Sequence, residues 1–201
     1  NKTATFSGNV YAELQPVRNL KLRSVFGAVY GSSEYRSFNP LYQFSIYTYN
    51  TTRTSATQNM NHSLGMTWTN TAAYDWTCGK NAFNALVGME VYRYSGTYLQ
   101  AKTGALREGF DDWDHAYVGN GTASSADDGM SVDGYPHDES RSVSYFGRFG
   151  WNWKETYMLN ATLRADGSSK FARGNRYGVF PSISAGWTLS NEKFMQNTQN
   201  W

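Results

Sequence analysis

From Asn61 to Trp76 the chain alternates with a period of two. The even positions read His62, Leu64, Met66, Trp68, Asn70, Ala72, Tyr74 and Trp76. The odd positions read Asn61, Ser63, Gly65, Thr67, Thr69, Thr71, Ala73 and Asp75. One side is mostly apolar and the other is polar and small. A helix places neither set on one side, whereas a strand turns successive side chains to opposite faces. From Phe83 the odd positions Phe83, Ala85, Val87, Met89 and Val91 are apolar, with Asn84, Glu90 and Tyr92 between them. The short Thr77-Cys78-Gly79-Lys80-Asn81 connection makes the two runs a hairpin.

The same alternation recurs in Leu20–Tyr30, Val143–Trp153, Tyr157–Leu163 and Ile183–Leu189, and more weakly near 5–14. This predicts about seven strands and no amphipathic helix. Short connections are expected near 15–19, 77–81 and 154–156. Longer ones are expected near 32–58, 100–140 and 167–178, the first with a β segment around Gln43–Tyr49. Membrane barrels sort their loops in this way, with short periplasmic turns and long extracellular loops. Several runs exceed the roughly 9–11 residues that a tilted strand needs to cross a bilayer. Trp68, Tyr74 and Trp76, and then Trp151, Trp153 and Tyr157, fall near short turns, where an interfacial aromatic girdle sits. On this reading Leu64, Met66 and Trp68 meet lipid while Ser63, Thr67 and Thr69 face the lumen. An antiparallel meander also sends the short and long connections to opposite sides of the membrane. The alternative is a soluble β-sandwich with aromatics in its core, serving as a carbohydrate-binding or adhesin module.

Composition narrows the field. Aromatics form 16% of the 201 residues and charged residues 17%. Intrinsic disorder and coiled coils have different compositions. No apolar run approaches the roughly 20 residues of a membrane helix. A single cysteine, Cys78, allows no internal disulfide. The formal charge of +2 hides an uneven distribution. Nine acidic residues and no Lys or Arg lie between Glu108 and Glu139, leaving 18 basic residues against seven acidic ones elsewhere. That is not the basic stripe of a nucleic-acid binder, so no nucleic-acid partner is expected. Bacterial single-chain barrels have even strand numbers and no open edge. Residues 1–201 are therefore expected to be a fragment of one, lacking a signal peptide and a plug domain.

The stretch Ser144-Tyr145-Phe146-Gly147-Arg148 runs on through Arg164-Ala165-Asp166-Gly167-Ser168-Ser169-Lys170-Phe171. It continues as Phe180-Pro181-Ser182-Ile183-Ser184-Ala185-Gly186-Trp187 and Asn191-Glu192-Lys193-Phe194-Met195. Over 144–195 this closely resembles the SusC/RagA family of TonB-linked outer-membrane transporters, with looser similarity elsewhere. The resemblance implies part of a large antiparallel transmembrane β-barrel of about 22 strands with a plugged lumen. It implies uptake of a large nutrient, a glycan or a peptide, across the outer membrane of a Gram-negative bacterium. The implied partners are a SusD-like surface lipoprotein, the TonB complex acting through parts outside this chain, and outer-membrane lipid. The family signature falls on Arg164, Asp166, Gly167, Ser168, Ser169, Phe171, Phe180, Pro181, Ser182, Gly186 and Trp187.

Asp166-Gly167-Ser168-Ser169 also reads physically as a strand-ending turn, since Gly permits positive φ and Asp and Ser bond their own backbone. Arg164 and Asp166 share a face, opposite Leu163 and Ala165, and can form charge-assisted bonds with neighbouring strands. In the acidic loop, Asp111, Asp112, Trp113, Asp114 and Tyr117 are candidates for contact with substrate or a partner. Their spacing lacks the Gly and distal Glu of an EF-hand loop, so no metal is expected. The segment should be mobile unless a cation, a partner or neighbouring Lys and Arg neutralises it. The three His residues form no HExxH pattern, no paired Cys ligands occur, and no GxSxG elbow appears. Neither an enzyme nor a cofactor is expected.

Overall fold

The computed structural model describes residues 1–195. Ten strands run antiparallel where their pairing is resolved: β1 (Lys2–Val17), β2 (Leu20–Asn39), β3 (Tyr42–Gln43), β4 (Tyr49–Asn50), β5 (Ser55–Cys78), β6 (Asn81–Gly104), β7 (Ser131–Pro136), β8 (Ser140–Trp153), β9 (Tyr157–Ser168) and β10 (Tyr177–Trp187). The main sheet has the order β1-β2-β5-β6-β8-β9-β10, and β7 also pairs with β6. β3 and β4 form a separate two-stranded ribbon. Seven strands thus make the path that the alternation predicts. Among the described residues the only helical turns are 3-10, at Val118–Asn120 and Leu189–Asn191.

Several boundaries differ from the sequence reading. The weak strand near 5–14 extends over Lys2–Val17, which shrinks the first short turn to Arg18 and Asn19. β2 runs on to Asn39 and β5 starts at Ser55, so much of the expected 32–58 connection is strand. The 100–140 connection contains β7, paired to β6 from Thr97↔Pro136 to Lys102↔Ser131. Leu189 lies past the end of β10, in a 3-10 turn. Trp68 sits in the body of β5, donating from Nε1 to Ser24 Oγ at 3.0 Å, and does not belong with the aromatics of the turns.

The chain divides into two compact units. One comprises Asn1–Ser7, Val29–Gly65 and Tyr94–Glu139; the other comprises Gly8–Ala28, Met66–Arg93 and the residues from Ser140 on. The first holds a small apolar cluster of Ala56, Leu106 and Ala116, with Phe38 packed against it. Thr54 ties this cluster down, its Oγ1 accepting the Leu106 N–H at 2.9 Å.

In the second unit the register of β8, β9 and β10 sorts residues into rows. Phe149, Ala161 and Ile183 align, as do Tyr145, Ala165 and Val179. Between them run Arg148, Thr162 and Ser182, then Phe146, Arg164 and Phe180, and just beyond the Tyr145 row come Ser144, Asp166 and Gly178. The apolar rows are open: Ile183 is 76% exposed, Val87 62% and Leu163 54%. A sandwich would cover such rows with a second sheet about 10 Å away. Here all the long strands belong to one sheet, so the sandwich alternative fails. Apolar rows of this kind suit hydrocarbon as their solvent.

Aromatics crowd the short-turn ends. Trp76 stacks on Phe83 at 5.0 Å and on Tyr74 at 5.6 Å, and both Trp76 and Phe83 approach Phe149. Trp153 meets Tyr157 at 5.6 Å, and Tyr157 stacks on Trp187 at 6.3 Å.

Candidate functional site

The polar rows of the second unit converge on Arg164. Its Nε donates to Asp166 Oδ1 at 2.8 Å, the i,i+2 partner on the same strand face. Its Nη2 reaches Glu90 Oε1 on β6 at 3.5 Å. To do so the guanidinium crosses β8, lying over the Phe146 ring at 5.5 Å from its centroid. Glu90 Oε2 accepts the Thr69 hydroxyl of β5 at 3.2 Å. Ser144 on β8 is buried and hydrogen-bonds Asp166. One cation and two carboxylates therefore join side chains from four strands.

Phe146 fits because position 88 is glycine: a Cβ there would fall on the ring. Beside the network a cavity of about 530 Å³ is lined by Glu90, Ser144, Arg164, Asp166, Phe171 and Phe180, among others. Arg164 and Asp166 are each more than a third exposed in this chain. They are accessible for contact as well as for structure.

The other signature residues have different tasks. The Tyr177 ring packs over Gly167, where a Cβ would lie 2.6 Å from the ring. Ser168 Oγ accepts the Lys170 N–H at 3.3 Å. Ser169 clasps the start of β8, its N–H donating to the Arg141 carbonyl at 2.8 Å and its Oγ accepting the Arg141 N–H at 2.9 Å. Pro181 lies opposite Leu163 and Ser182 opposite Thr162, on the two faces of β10. Gly186 pairs with Met158. Trp187 donates from Nε1 to Glu192 Oε1 at 3.2 Å, the same oxygen that accepts the Tyr157 hydroxyl. Asp166-Gly167-Ser168, expected as a turn with glycine at positive φ, is instead the last part of β9, with Asp166 and Gly167 paired on both sides, and the turn begins at Ser169. The signature divides into a charged network, a clasped strand end and an aromatic pair.

In the first unit the acidic segment is ordered by local bonds and by arginines from elsewhere. Asp112 accepts both the backbone N–H and Nδ1 of His115 at 2.9 Å. These bonds hold its carboxyl below the ordinary range. Asp128 Oδ2 accepts the Ser125 hydroxyl at 3.1 Å. The Arg53 guanidinium donates to the Asp127 carbonyl at 3.3 Å. Arg36 of β2 lies between two rings, 4.6 Å from the Trp113 centroid and 4.3 Å from that of Tyr117. Gln58 Oε1 accepts the Val118 N–H at 2.9 Å. Trp113 and Tyr117 also line a cavity of about 290 Å³ with Glu34, Gln58 and Met60. Of the five candidate loop residues, Asp112, Trp113 and Tyr117 are thus engaged with the chain. Asp111 and Asp114 are exposed. Among the described residues no cluster of three or more His, Cys, Asp or Glu is arranged to hold a metal ion.

Glu90, Phe146, Gly88 and Arg36 were not singled out from sequence. The parity of β6 puts Glu90 on the polar face, but which strands lie within reach of it depends on the sheet order. Nothing in the sequence pairs Arg36 with two aromatics so far along the chain.

No family model matches the chain. TonB-dependent receptor P26 of Formosa agariphila is 26% identical over 197 residues, covering 98% of this chain and 19% of that protein. TonB-dependent receptor SusC of Bacteroides thetaiotaomicron is 26% identical over 210 residues, covering 96% and 18%. The solved structure of the RagAB peptide transporter superposes with a TM-score of 0.79 at 22% identity, covering 96% of this chain and 21% of the matched one. This chain spans about a fifth of the length of the curated relatives it matches. The resemblance seen in residues 144–195 thus extends over nearly all of the chain. The fold is that of part of a large antiparallel β-barrel wall, not closed within these residues.

Proposed function

We propose that this chain is a wall segment of a SusC/RagA-type, TonB-dependent importer in the outer membrane of a Gram-negative bacterium. The whole protein takes up a nutrient too large for porins, an oligosaccharide or a peptide. The observation that carries the reading is the pairing of two opposed faces in one sheet. Open apolar rows such as Phe149, Ala161 and Ile183 alternate with the polar rows around Arg164. Similarity to TonB-dependent receptors along 98% of the chain supports it. In this role the wall is a scaffold and performs no bond-making chemistry. Arg164, Asp166 and Glu90 brace the lumen side, where they can also meet a plug or a passing substrate.

The partners follow from the same reading. A SusD-like surface lipoprotein closes the extracellular mouth, and TonB supplies energy through parts of the protein outside this chain. Asp111, Asp112 and Asp114 belong to the segment offered to the lid. Their joint replacement by Asn is expected to weaken co-purification of the lipoprotein or uptake while heat-modifiable migration stays normal. Unchanged lid binding and uptake would leave the loop as solvated surface.

The reading as a whole is tested by fractionation and transport of the full-length protein. It should require detergent for extraction, and uptake of labelled oligosaccharide or peptide should stop when the proton gradient is collapsed. Extraction into detergent-free buffer would defeat it.

A further inference from the structure

Each of the three short turns carries one basic residue: Arg18, Lys80 and Lys154. Two of these turns touch, the Lys154 N–H donating to the Lys80 carbonyl at 3.0 Å. The contact brings two ammonium groups together. The side-chain contact with Lys80 and its charge, and then desolvation and the charge of Lys193, lower the pKa of Lys154. The backbone there is also unusual. Lys154 and Glu155 both sit in the left-handed region, at φ 51° and 55°. Two successive left-handed residues in a hairpin turn are normally Asn-Gly or Asp-Gly, because a Cβ is disfavoured at positive φ; here they open a three-residue connection, Lys154–Thr156. Asn152 Oδ1 holds the geometry by accepting the Glu155 N–H at 2.8 Å. The Lys154 ammonium rests 4.6 Å from the Trp153 centroid, at the edge of the aromatic cluster. The nearby acid Glu192, which also accepts from the Tyr157 hydroxyl and the Trp187 indole, offsets only part of this. A left-handed turn that brings two ammonium groups together beside an aromatic belt, with Glu192 offsetting only part of their repulsion, is a place for a further anion.

We propose that Lys80 and Lys154, with Lys193 beside them, bind the phosphate of a phospholipid headgroup in the leaflet on the short-turn side. The aromatic cluster flanks the lipid's glycerol region. This rests on the membrane-barrel reading above. Phospholipid is favoured over free phosphate because the site adjoins the girdle, where headgroups lie. An anion between the two ammoniums turns a repulsive contact into two charge-assisted bonds. It also gives the left-handed turn at Lys154 and Glu155 a purpose, since that turn aims Lys154 at Lys80.

The test uses the detergent-extracted full-length protein and its K80Q/K154Q and K80R/K154R variants. Each is incubated with phosphatidylglycerol, and retained lipid is counted by native mass spectrometry. Parallel samples contain excess inorganic phosphate. Retention should fall roughly fivefold or more in K80Q/K154Q, persist in K80R/K154R, and resist inorganic phosphate. Equal retention by the wild type and K80Q/K154Q, with both still requiring detergent and still heat-modifiable, would overturn the lipid site and leave the barrel intact. Displacement of the lipid by inorganic phosphate would overturn the choice of lipid. A protein that dissolves without detergent would overturn the barrel reading itself.

Discussion

In the sheet around β9 one arginine is held by two carboxylates, Asp166 of its own strand and Glu90 of β6, and by an aromatic ring. In the segment from Glu108 to Glu139 the named carboxylate contacts run to serine hydroxyls and one histidine, and the arginines that enter do so through rings and a carbonyl. Arg164 takes Asp166 at 2.8 Å and leans on Phe146. Arg36 is stacked by Trp113 and Tyr117. The first region neutralises charge within a rigid sheet, and its partners are fixed by register. The second orders its aromatics and backbone but leaves Asp111 and Asp114 facing water. A wall must satisfy its polar face internally, whereas a loop can keep surplus charge for a partner.

The largest expected effect separates the two faces of the wall. Val87→Arg or Leu163→Arg, on the apolar rows, should destabilise the assembled protein by about 2–4 kcal/mol. Glu108→Arg in the acidic segment should stay within about 0.5 kcal/mol. Denaturant titration in lipid vesicles measures both. Equal effects would erase the distinction between wall and loop.

Next comes the packing under Arg164. Gly88→Ala places a Cβ on the Phe146 ring and should cost about 1–3 kcal/mol through overpacking. Pairing it with Phe146→Leu should recover much of that loss. Failure of the pair to recover would mean that the ring is not what Gly88 accommodates.

Arg36→Ala removes two cation–π contacts of a half-buried guanidinium, each worth about 0.5–2 kcal/mol. The expected outcome is faster proteolysis between Ala105 and Gly121 with normal barrel assembly. Unchanged cleavage would mean that the stack does not order the loop.

The smallest effect is one of pH. Hydrogen bonds from the His115 side chain and backbone hold Asp112 below its ordinary value of 3.8. Because the folded value is depressed, the stabilisation is fully present above the ordinary value. It is lost as pH falls through the depressed one. The carboxyl carbon shift of Asp112 should therefore hold steady down to the ordinary range and titrate below it. A midpoint at or above 3.8 would contradict the pairing.

Much of the wall was legible because a bilayer imposes period two on the sequence. Leu64, Met66 and Trp68 against Ser63, Thr67 and Thr69 set the faces of β5 without any structure. Arg164 and Asp166 fell on one face by the same parity. The pattern fades where both faces of a strand are polar, as in Gly31-Ser32-Ser33-Glu34, so the extension of β2 to Asn39 was missed. β7 was missed for a related reason: Ser131-Val132-Asp133-Gly134 offers little apolar alternation. The Glu90–Arg164 pair spans strands 74 residues apart in sequence. Only sheet order and register bring them together.

The central claim is that successive residues of a strand meet lipid and lumen in turn. It is tested most directly by spin labels placed one at a time from Ala85 to Val91 in the vesicle-reconstituted full-length protein, with exposed Cys78 replaced by Ser. Accessibility to oxygen, which partitions into lipid, should peak at 85, 87, 89 and 91. Accessibility to a water-soluble nickel chelate should not peak there. A flat profile across the seven positions, or oxygen maxima at 86, 88 and 90, would contradict the account.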